Sequence, residues 1–341
     1  LDMASWQWIF LLNVPIGIVT LLLIYVVVGG IETPRVRASL DLGGALLLTI
    51  ALGSGIGAIT VSGATGWLDP LVLGGLALAA LSGIAFGWLQ LRSTSPLIDL
   101  RLFADRAFSS ANAVSLLTGY TLATAIIGGP VFVNRVLFGS DAHASIVLTA
   151  LTVAIAGGAL AGGVASAFIG ERIVSVIGVV ASAVGLWLAL GWSVDTDLDR
   201  LVRDLAIYGA GFGLTVAPRA TAAVEAAGAG AYGVASAMLQ ITRTIGMSVG
   251  LALLTSIGQN RIDELSALIA DPVLRDELVL ELGRDEFVGV DPRASLALVE
   301  VLERWSQGQS AEVLTQVFAI ALGVGLVAFI PAWFVRGRRR V

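Results

Sequence analysis

Long apolar runs separated by short polar stretches dominate this chain of 341 residues. Windows of about 19 residues or more with little or no charge predict helices that are long enough to cross about 30 Å of hydrocarbon. The nine predicted spans are residues 6–28, 42–62, 70–91, 107–133, 144–168, 173–192, 204–222, 233–257 and 313–335. Their many glycines and alanines are typical of closely packed membrane helices. The pattern therefore predicts an all-α, polytopic membrane helix bundle with nine transmembrane helices.

The arginines predict an orientation for these spans. If the first span runs from outside to inside, ten arginines fall in cytoplasmic turns or in the C-terminal tail, and three fall in the short outer turns or at the outer end of the fourth span. This bias follows the positive-inside rule. It predicts a multi-pass protein of the cell membrane whose C-terminus is cytoplasmic, with Trp88 and Trp333 at the inner boundary.

The segment 258–312 between the last two spans breaks the apolar pattern. It holds five arginines and twelve acidic residues, and the predicted orientation makes it extracytoplasmic. The pairs Asp271-Pro272 and Asp291-Pro292 are typical of helix starts, and leucines follow each pair at helical spacing. We expect two short amphipathic helices here, which form either a solvated flap over the outer mouth or a docking surface for a partner protein.

Composition narrows the function classes. The chain is 57% hydrophobic and 13% charged, whereas charged residues make up about a quarter of soluble globular proteins. The absence of cysteine excludes disulfides and thiolate metal sites, and His143 is the only histidine, so we expect no metal and no cofactor. The predicted spans contain no Ser-His-Asp set and no paired carboxylates. These observations give no indication of an enzyme or of a nucleic-acid-binding protein.

Arg243 is the strongest candidate for a transport residue. It lies ten residues into the eighth predicted span, which is about 15 Å deep and close to the midplane. A charge there is costly and usually faces a cavity. Together with Gln240, one turn earlier, it could bind a polar substrate group or a coupling carboxylate. The alternative is that the helix starts earlier and that the Arg243 side chain reaches the cytoplasmic interface.

Other polar residues have a structural and a functional interpretation. Asn134 and Arg135 follow the helix-bending Pro130, so they could line a substrate site or mark an outer helix end. Asn112 and Tyr120 could line the cavity or could simply pack.

Polar residues near the predicted helix ends favour structural roles. Asp41 is expected to cap the second span. Asn13 could bond across helices or satisfy carbonyl groups freed by Pro15. Arg219 and Glu225 lie near a predicted cytoplasmic boundary, where solvated charge is the simpler interpretation.

Several stretches resemble the 14-helix drug:proton antiporters of the major facilitator superfamily (the EmrB/QacA type). Residues 6–17 resemble the W-x-W-I-F-x-x-N-x-P-x-G signature of that family's sixth helix, with Asn13, Pro15 and Gly17 at its last defined positions. Residues 95–108 resemble the cytoplasmic segment before its ninth helix, and residues 211–250 resemble its penultimate helix pair.

The turn after the fifth span resembles a loop motif of the superfamily, G-x-L-A-D-R-x-G-R-R. Gly163, Gly170 and Arg172 match it, and the resemblance gives them a gating or structural role. Ala167 and Phe168 replace the aspartate and the first arginine of the motif, so the gating role of this copy is weakened.

The resemblance covers essentially the whole chain and implies a partial major facilitator fold, with about five helices missing before Leu1. Residues 1–28 would be the last helix of the N-terminal bundle. Residues 29–106 would form an extra two-helix hairpin and a cytoplasmic linker, and residues 107–341 the C-terminal six-helix bundle.

The implied function is export of drugs or other lipophilic or amphipathic compounds by proton antiport with alternating access. The implied partners are lipophilic small molecules, protons, the lipid bilayer and the missing N-terminal bundle. One alternative is an exporter of a native lipid, siderophore or antibiotic. Another is a non-transporting membrane half that scaffolds or regulates a partner.

Overall fold

The chain is helical throughout the part that the computed structural model describes, namely residues 11, 13–28, 41–93, 96–98, 100–228, 231–270 and 295–336. It divides into two units, residues 1–40 and 41–341. In the first unit, helix α1 comprises Asn13–Val28.

In its described residues, the second unit contains nine further α-helices and one short 3₁₀ helix at Leu100–Ala104. The α-helices are α2 (Leu42–Thr65), α3 (Pro70–Arg92), α4 (Arg106–Arg135), α5 (Asp141–Ile169), α6 (Glu171–Ala189), α7 (Leu198–Ala227), α8 (Tyr232–Ala270), α9 (Ser295–Val327) and α10 (Phe329–Ala332).

Seven stretches of the described residues are long and apolar enough to cross a membrane. They lie in α2, α3, α4, α5, α6 and α8, and in a stretch of α9 and α10. The predicted polytopic helical membrane bundle is therefore confirmed, but the count of nine spans is not. The structure describes the first predicted span only in part. The seventh predicted span lies in α7, where the charge of Arg219 lowers the mean hydropathy.

Polar residues and glycine define the helix ends. Asp105 caps α4, since its carboxylate accepts hydrogen bonds from the backbone N–H groups of Ala107 and Phe108. Gly170 joins α5 to α6 with a φ of 85°, a left-handed conformation that glycine adopts without a steric penalty. This sharp turn makes α5 and α6 consecutive antiparallel helices.

Close helix packing in the second unit depends on glycines. A side chain at Gly158 of α5 would overlap with the backbone of Ala210 in α7, and one at Gly185 of α6 would overlap with Tyr208. The glycines of α7 itself have the same role, because a Cβ at Gly211 would overlap with Ser182 of α6. These glycines therefore allow α5, α6 and α7 to pack closely, as is typical of membrane helices.

Aromatic side chains fill the core near the N-terminal end of α7. Trp192 lies between Phe132 and Phe318, with ring centres 5.1 and 5.0 Å away. Its indole N–H donates to the carboxylate of Asp204, 3.1 Å away. That carboxylate is fully buried and also pairs with Arg203 at 2.9 Å. The buried acid is thus satisfied by partners from two segments.

The helices α8 and α9 reach far into the acidic segment 258–312. α8 ends only at Ala270, and α9 already begins at Ser295. The second expected amphipathic helix is therefore the first part of α9 rather than a separate element. The first one, after Asp271-Pro272, lies outside the described residues.

Candidate transport site

Polar side chains of α4, α7 and α8 meet inside the second unit. Arg219 of α7 is only 3% exposed. Its Nη1 donates a hydrogen bond to the hydroxyl oxygen of Thr118 in α4, 2.7 Å away. Its guanidinium carbon lies 5.1 Å from the centre of the Phe212 ring, within cation–π range. Arg219 is therefore anchored by one hydrogen bond and one aromatic face.

This burial corrects the interpretation of Arg219 as a solvated charge. The predicted span ended at residue 222, whereas α7 continues to Ala227. Arg219 consequently lies about two turns inside the helix instead of at its boundary. An arginine directly after Pro218 in an otherwise apolar stretch was the available signal.

Arg243 of α8 lies about 16 Å from the start of its helix, since α8 begins at Tyr232. Its Nη2 donates to Oε1 of Gln240 at 2.7 Å. Its Nε is buried and has no hydrogen-bond partner among the described residues. The structure therefore brings the predicted pair Arg243 and Gln240 together and leaves one guanidinium donor without an acceptor.

Neither the buried guanidinium of Arg219 nor the partly buried one of Arg243 has a carboxylate within ion-pair distance in the described part of the chain. Burying an unpaired charge is costly, and a guanidinium keeps its charge in proteins. Thr118, which binds Arg219, is followed by Gly119, where a Cβ would overlap with the carbonyl oxygen of Arg243. We call Arg219 and Arg243 the arginine cluster. Such a cluster attracts an anionic or strongly polar group.

The remaining α4 candidates serve helix packing. Asn112 is buried, donates to the Phe108 carbonyl oxygen at 3.0 Å and accepts from the Thr242 hydroxyl at 3.3 Å. Tyr120 is 6% exposed and belongs to the apolar core. Of the two interpretations left open for these residues, the structure favours packing.

Asn134 and Arg135 lie at the exposed C-terminal end of α4. They are about 25 Å along the helix from Thr118, so the structure does not bring them to the arginine cluster. Pro130 is half-buried within the same helix. This placement agrees with the interpretation as a helix end.

Asp41 caps α2 and also links two helices to the linker. Its Oδ1 accepts from the Gly44 N–H at 2.8 Å, and its Oδ2 accepts from Nε2 of Gln90 at 2.7 Å. Oε1 of Gln90 in turn accepts from the Ile98 N–H at 3.2 Å. The hydrogen bonds from Gly44 and then Gln90 lower the pKa of Asp41. The role is structural, as the capping prediction implies.

The loop-motif residues lie at the turn between α5 and α6. Gly163 lies near Ala217 of α7, and Gly170 forms the turn itself. The guanidinium carbon of Arg172 is 5.4 Å from the centre of the Trp333 ring. Among the other predicted residues, Asn13, Pro15 and Gly17 belong to α1 in the first unit.

Curated proteins with similar sequences are known, although no protein-family model matches the chain. A triacylglyceride transporter of Mycolicibacterium smegmatis is 32% identical over 286 residues, which cover 78% of this chain and 50% of that protein. The chain is similar to transporters. A triacylglyceride transporter of Mycolicibacterium hassiacum is 29% identical over 98% of this chain and 63% of that protein.

A third such transporter, from Mycobacterium tuberculosis, is 28% identical over 86% of this chain and 59% of that protein. The chain thus spans about half to two thirds of the length of the curated relatives it matches. The relatives are named as transporters, and the apolar helices are those expected of a multi-pass membrane protein.

Proposed function

We propose that this chain is the C-terminal part of a lipid exporter that works by alternating access and proton antiport. The substrate would be a neutral lipid of the triacylglyceride class, as the names of the relatives suggest. Of the functions expected from the sequence, this corresponds to the alternative of a native-lipid exporter. Export of drugs rests on the family resemblance alone.

The arginine cluster is the observation that carries the proposal. Two guanidiniums lie inside the bundle without a carboxylate among the described residues, and Nε of Arg243 lacks an acceptor. A carboxylate from the other half of the transporter would pair with them when ionised and leave when protonated. Proton binding to that carboxylate would thereby break its ion pair with the arginine cluster. The loss of the ion pair would shift the equilibrium between two conformations of the protein.

The apolar setting of the cluster suits a lipid substrate. It lies on α4, α7 and α8, of which α4 and α8 are long and apolar enough to cross a membrane. Ester carbonyl groups of a triacylglyceride accept hydrogen bonds. A guanidinium presents several donors and would bind those carbonyl groups while the acyl chains contact apolar helix faces. We place the C-terminus in the cytoplasm and residues 107–341 in the C-terminal bundle, as the arginine distribution and the resemblance suggest.

Transport by the full-length protein in lipid vesicles tests the proposal. We expect triacylglyceride transport to depend on an imposed pH gradient. The variant Arg243→Gln should lose this dependence and transport about ten- to a hundredfold more slowly, because a hydrogen bond to a charged group contributes about 1.5–3 kcal/mol. Arg135→Gln, at the exposed end of α4, is the matched control and should transport like the wild type.

Two results would contradict the proposal. Wild-type transport by Arg243→Gln would remove the arginine cluster from the mechanism. A folded full-length protein that moves neither triacylglyceride nor a lipophilic dye would favour the scaffold hypothesis, and transport of the dye alone would favour drug export.

A further inference from the structure

An apolar groove of about 420 Å³ runs between α6 and the α9–α10 pair. It is lined mainly by Val180, Val184 and Trp187 on one side and by Leu322, Leu326 and Phe329 on the other. Both sides belong to candidate membrane spans, and these side chains are largely exposed. The groove therefore opens toward the hydrocarbon of the bilayer and not toward the arginine cluster.

The helices on both sides of the groove extend to the same cationic residue, Arg172. On α6, Arg172 shares a helix face with the groove residues Val179 and Ala183, seven and eleven positions later. On the other wall, Trp333 follows Phe329 by four positions. The guanidinium carbon of Arg172 lies 5.4 Å from the centre of the Trp333 ring, so this pair lies beyond the lining residues on the side that is predicted to be cytoplasmic.

Arg172 is partly exposed and forms no ion pair among the described residues. Its Nε is buried without a hydrogen-bond partner there, so an anion can reach only the part of the side chain that remains exposed. The neighbouring Glu171 forms no ion pair with it. Val179 lies about 10 Å along α6 from Arg172, so an anion at Arg172 and an apolar chain in the groove fit one amphipathic molecule.

We propose that this groove binds an anionic phospholipid of the inner leaflet. One acyl chain lies between Val184 and Leu326, and the phosphate accepts charge-assisted hydrogen bonds from Arg172. Trp333 lies at the headgroup level, where indole rings are enriched. The bound molecule is a lipid of the bilayer and not the transported substrate, because a triacylglyceride has no phosphate. This site does not depend on the proposed function.

A second arginine–tryptophan pair provides a matched control. The guanidinium carbon of Arg92 lies 4.4 Å from the centre of the Trp88 ring at the C-terminal end of α3. Like the Arg172 pair, it is a cation–π contact between an arginine and a tryptophan, and it is predicted to lie on the same side of the membrane. Both residues belong to one helix, however, whereas the Arg172 pair joins two helices.

The test compares binding of phosphatidylglycerol and phosphatidylcholine with identical acyl chains to the purified full-length protein, by native mass spectrometry. We expect roughly tenfold tighter binding of phosphatidylglycerol, because both lipids carry the phosphate but the choline cation of phosphatidylcholine neutralises it and is repelled by Arg172. Arg172→Gln should abolish this preference, whereas Arg92→Gln should keep it. Val180→Trp fills the groove from an exposed position and should weaken the binding of both lipids.

Three outcomes would overturn the proposal. The first is an unchanged preference in Arg172→Gln, and the second is an equal loss in Arg92→Gln. The third is displacement of phosphatidylglycerol by an equal concentration of inorganic phosphate, with Val180→Trp unaffected, since that result would indicate an anion site without an acyl-chain groove.

Discussion

At the scale of single residues, the buried guanidinium of Arg219 raises the question of how its desolvation is offset. Thr118 supplies one acceptor and Phe212 supplies an aromatic face. The depth of Arg243 could be predicted by counting residues from the start of its span. The apolar neighbours of Arg219 are a signal of burial, but its partners depend on where α7 ends and on which helix faces it, and local hydropathy encodes neither.

The variant Thr118→Val tests the anchoring of Arg219. Valine has nearly the shape of threonine but cannot accept the hydrogen bond, so Arg219 would lose its partner. We expect a loss of about 1.5–3 kcal/mol in stability, measured by thermal denaturation in detergent. Thr118→Ser keeps the hydroxyl and should stay close to the wild type. Equal stability of the two variants would show that the hydrogen bond does not anchor Arg219.

At the scale of elements, the crossing of α4 and α8 depends on glycines that face backbone. A Cβ at Gly119 of α4 would overlap with the carbonyl oxygen of Arg243, and one at Gly246 of α8 would overlap with that of Leu116. The hydroxyl of Ser115 also donates to the Leu239 carbonyl oxygen at 2.7 Å. The sequence indicates glycine-mediated packing in general, but which glycine faces which helix depends on the tertiary arrangement.

Gly246→Ala should therefore disturb the position of Arg243 as well as the packing. Because the added methyl group meets backbone, which cannot rotate away, we expect a loss of about 1–3 kcal/mol or more in thermal denaturation. Gly233→Ala in the same helix is the control, since a Cβ there meets no atom within 4 Å. If both variants melt at the wild-type temperature, the close approach of α4 and α8 is not a stability determinant.

At the scale of the whole second unit, the sequence predicts most of the helices to within a few residues but misses the length of α8 and α9. Apolar windows detect only the part of a helix that lies in hydrocarbon. A signal was available, because no proline interrupts residues 232–270 and Pro272 follows directly. Of the arginine cluster, the sequence predicted a functional role for Arg243 but not for Arg219. The cluster forms only because α4, α7 and α8 converge, which is a tertiary feature.

The link from Asp41 through Gln90 to Ile98 joins the α2–α3 hairpin to its linker, and its strength should depend on pH. The pKa of Asp41 lies below its ordinary value of 3.8. The ionised carboxylate therefore stabilises the hairpin above that value, and the stabilisation is lost as the pH falls through the lowered pKa. Asp41→Asn should weaken the link at neutral pH and remove this acid dependence.

Hydrogen exchange of residues 96–98 would measure the strength of this link. Asp69→Asn is the control, because Asp69 caps α3 through Leu71 at the other end of the hairpin. Faster exchange of Ile98 in Asp41→Asn alone would support the link. Equal exchange in both variants at neutral and acidic pH would argue against it.

The continuous course of α8 has a mechanical consequence. From Arg243 to Ala270 the helix extends about 40 Å, at 1.5 Å per residue. If the helix tilts about Arg243, its longer arm ends beyond the apolar span. A tilt of about 10° at the pivot would displace the far tip by about 7 Å. Any change of charge pairing at Arg243 that tilts the helix would thus be magnified at its distant end.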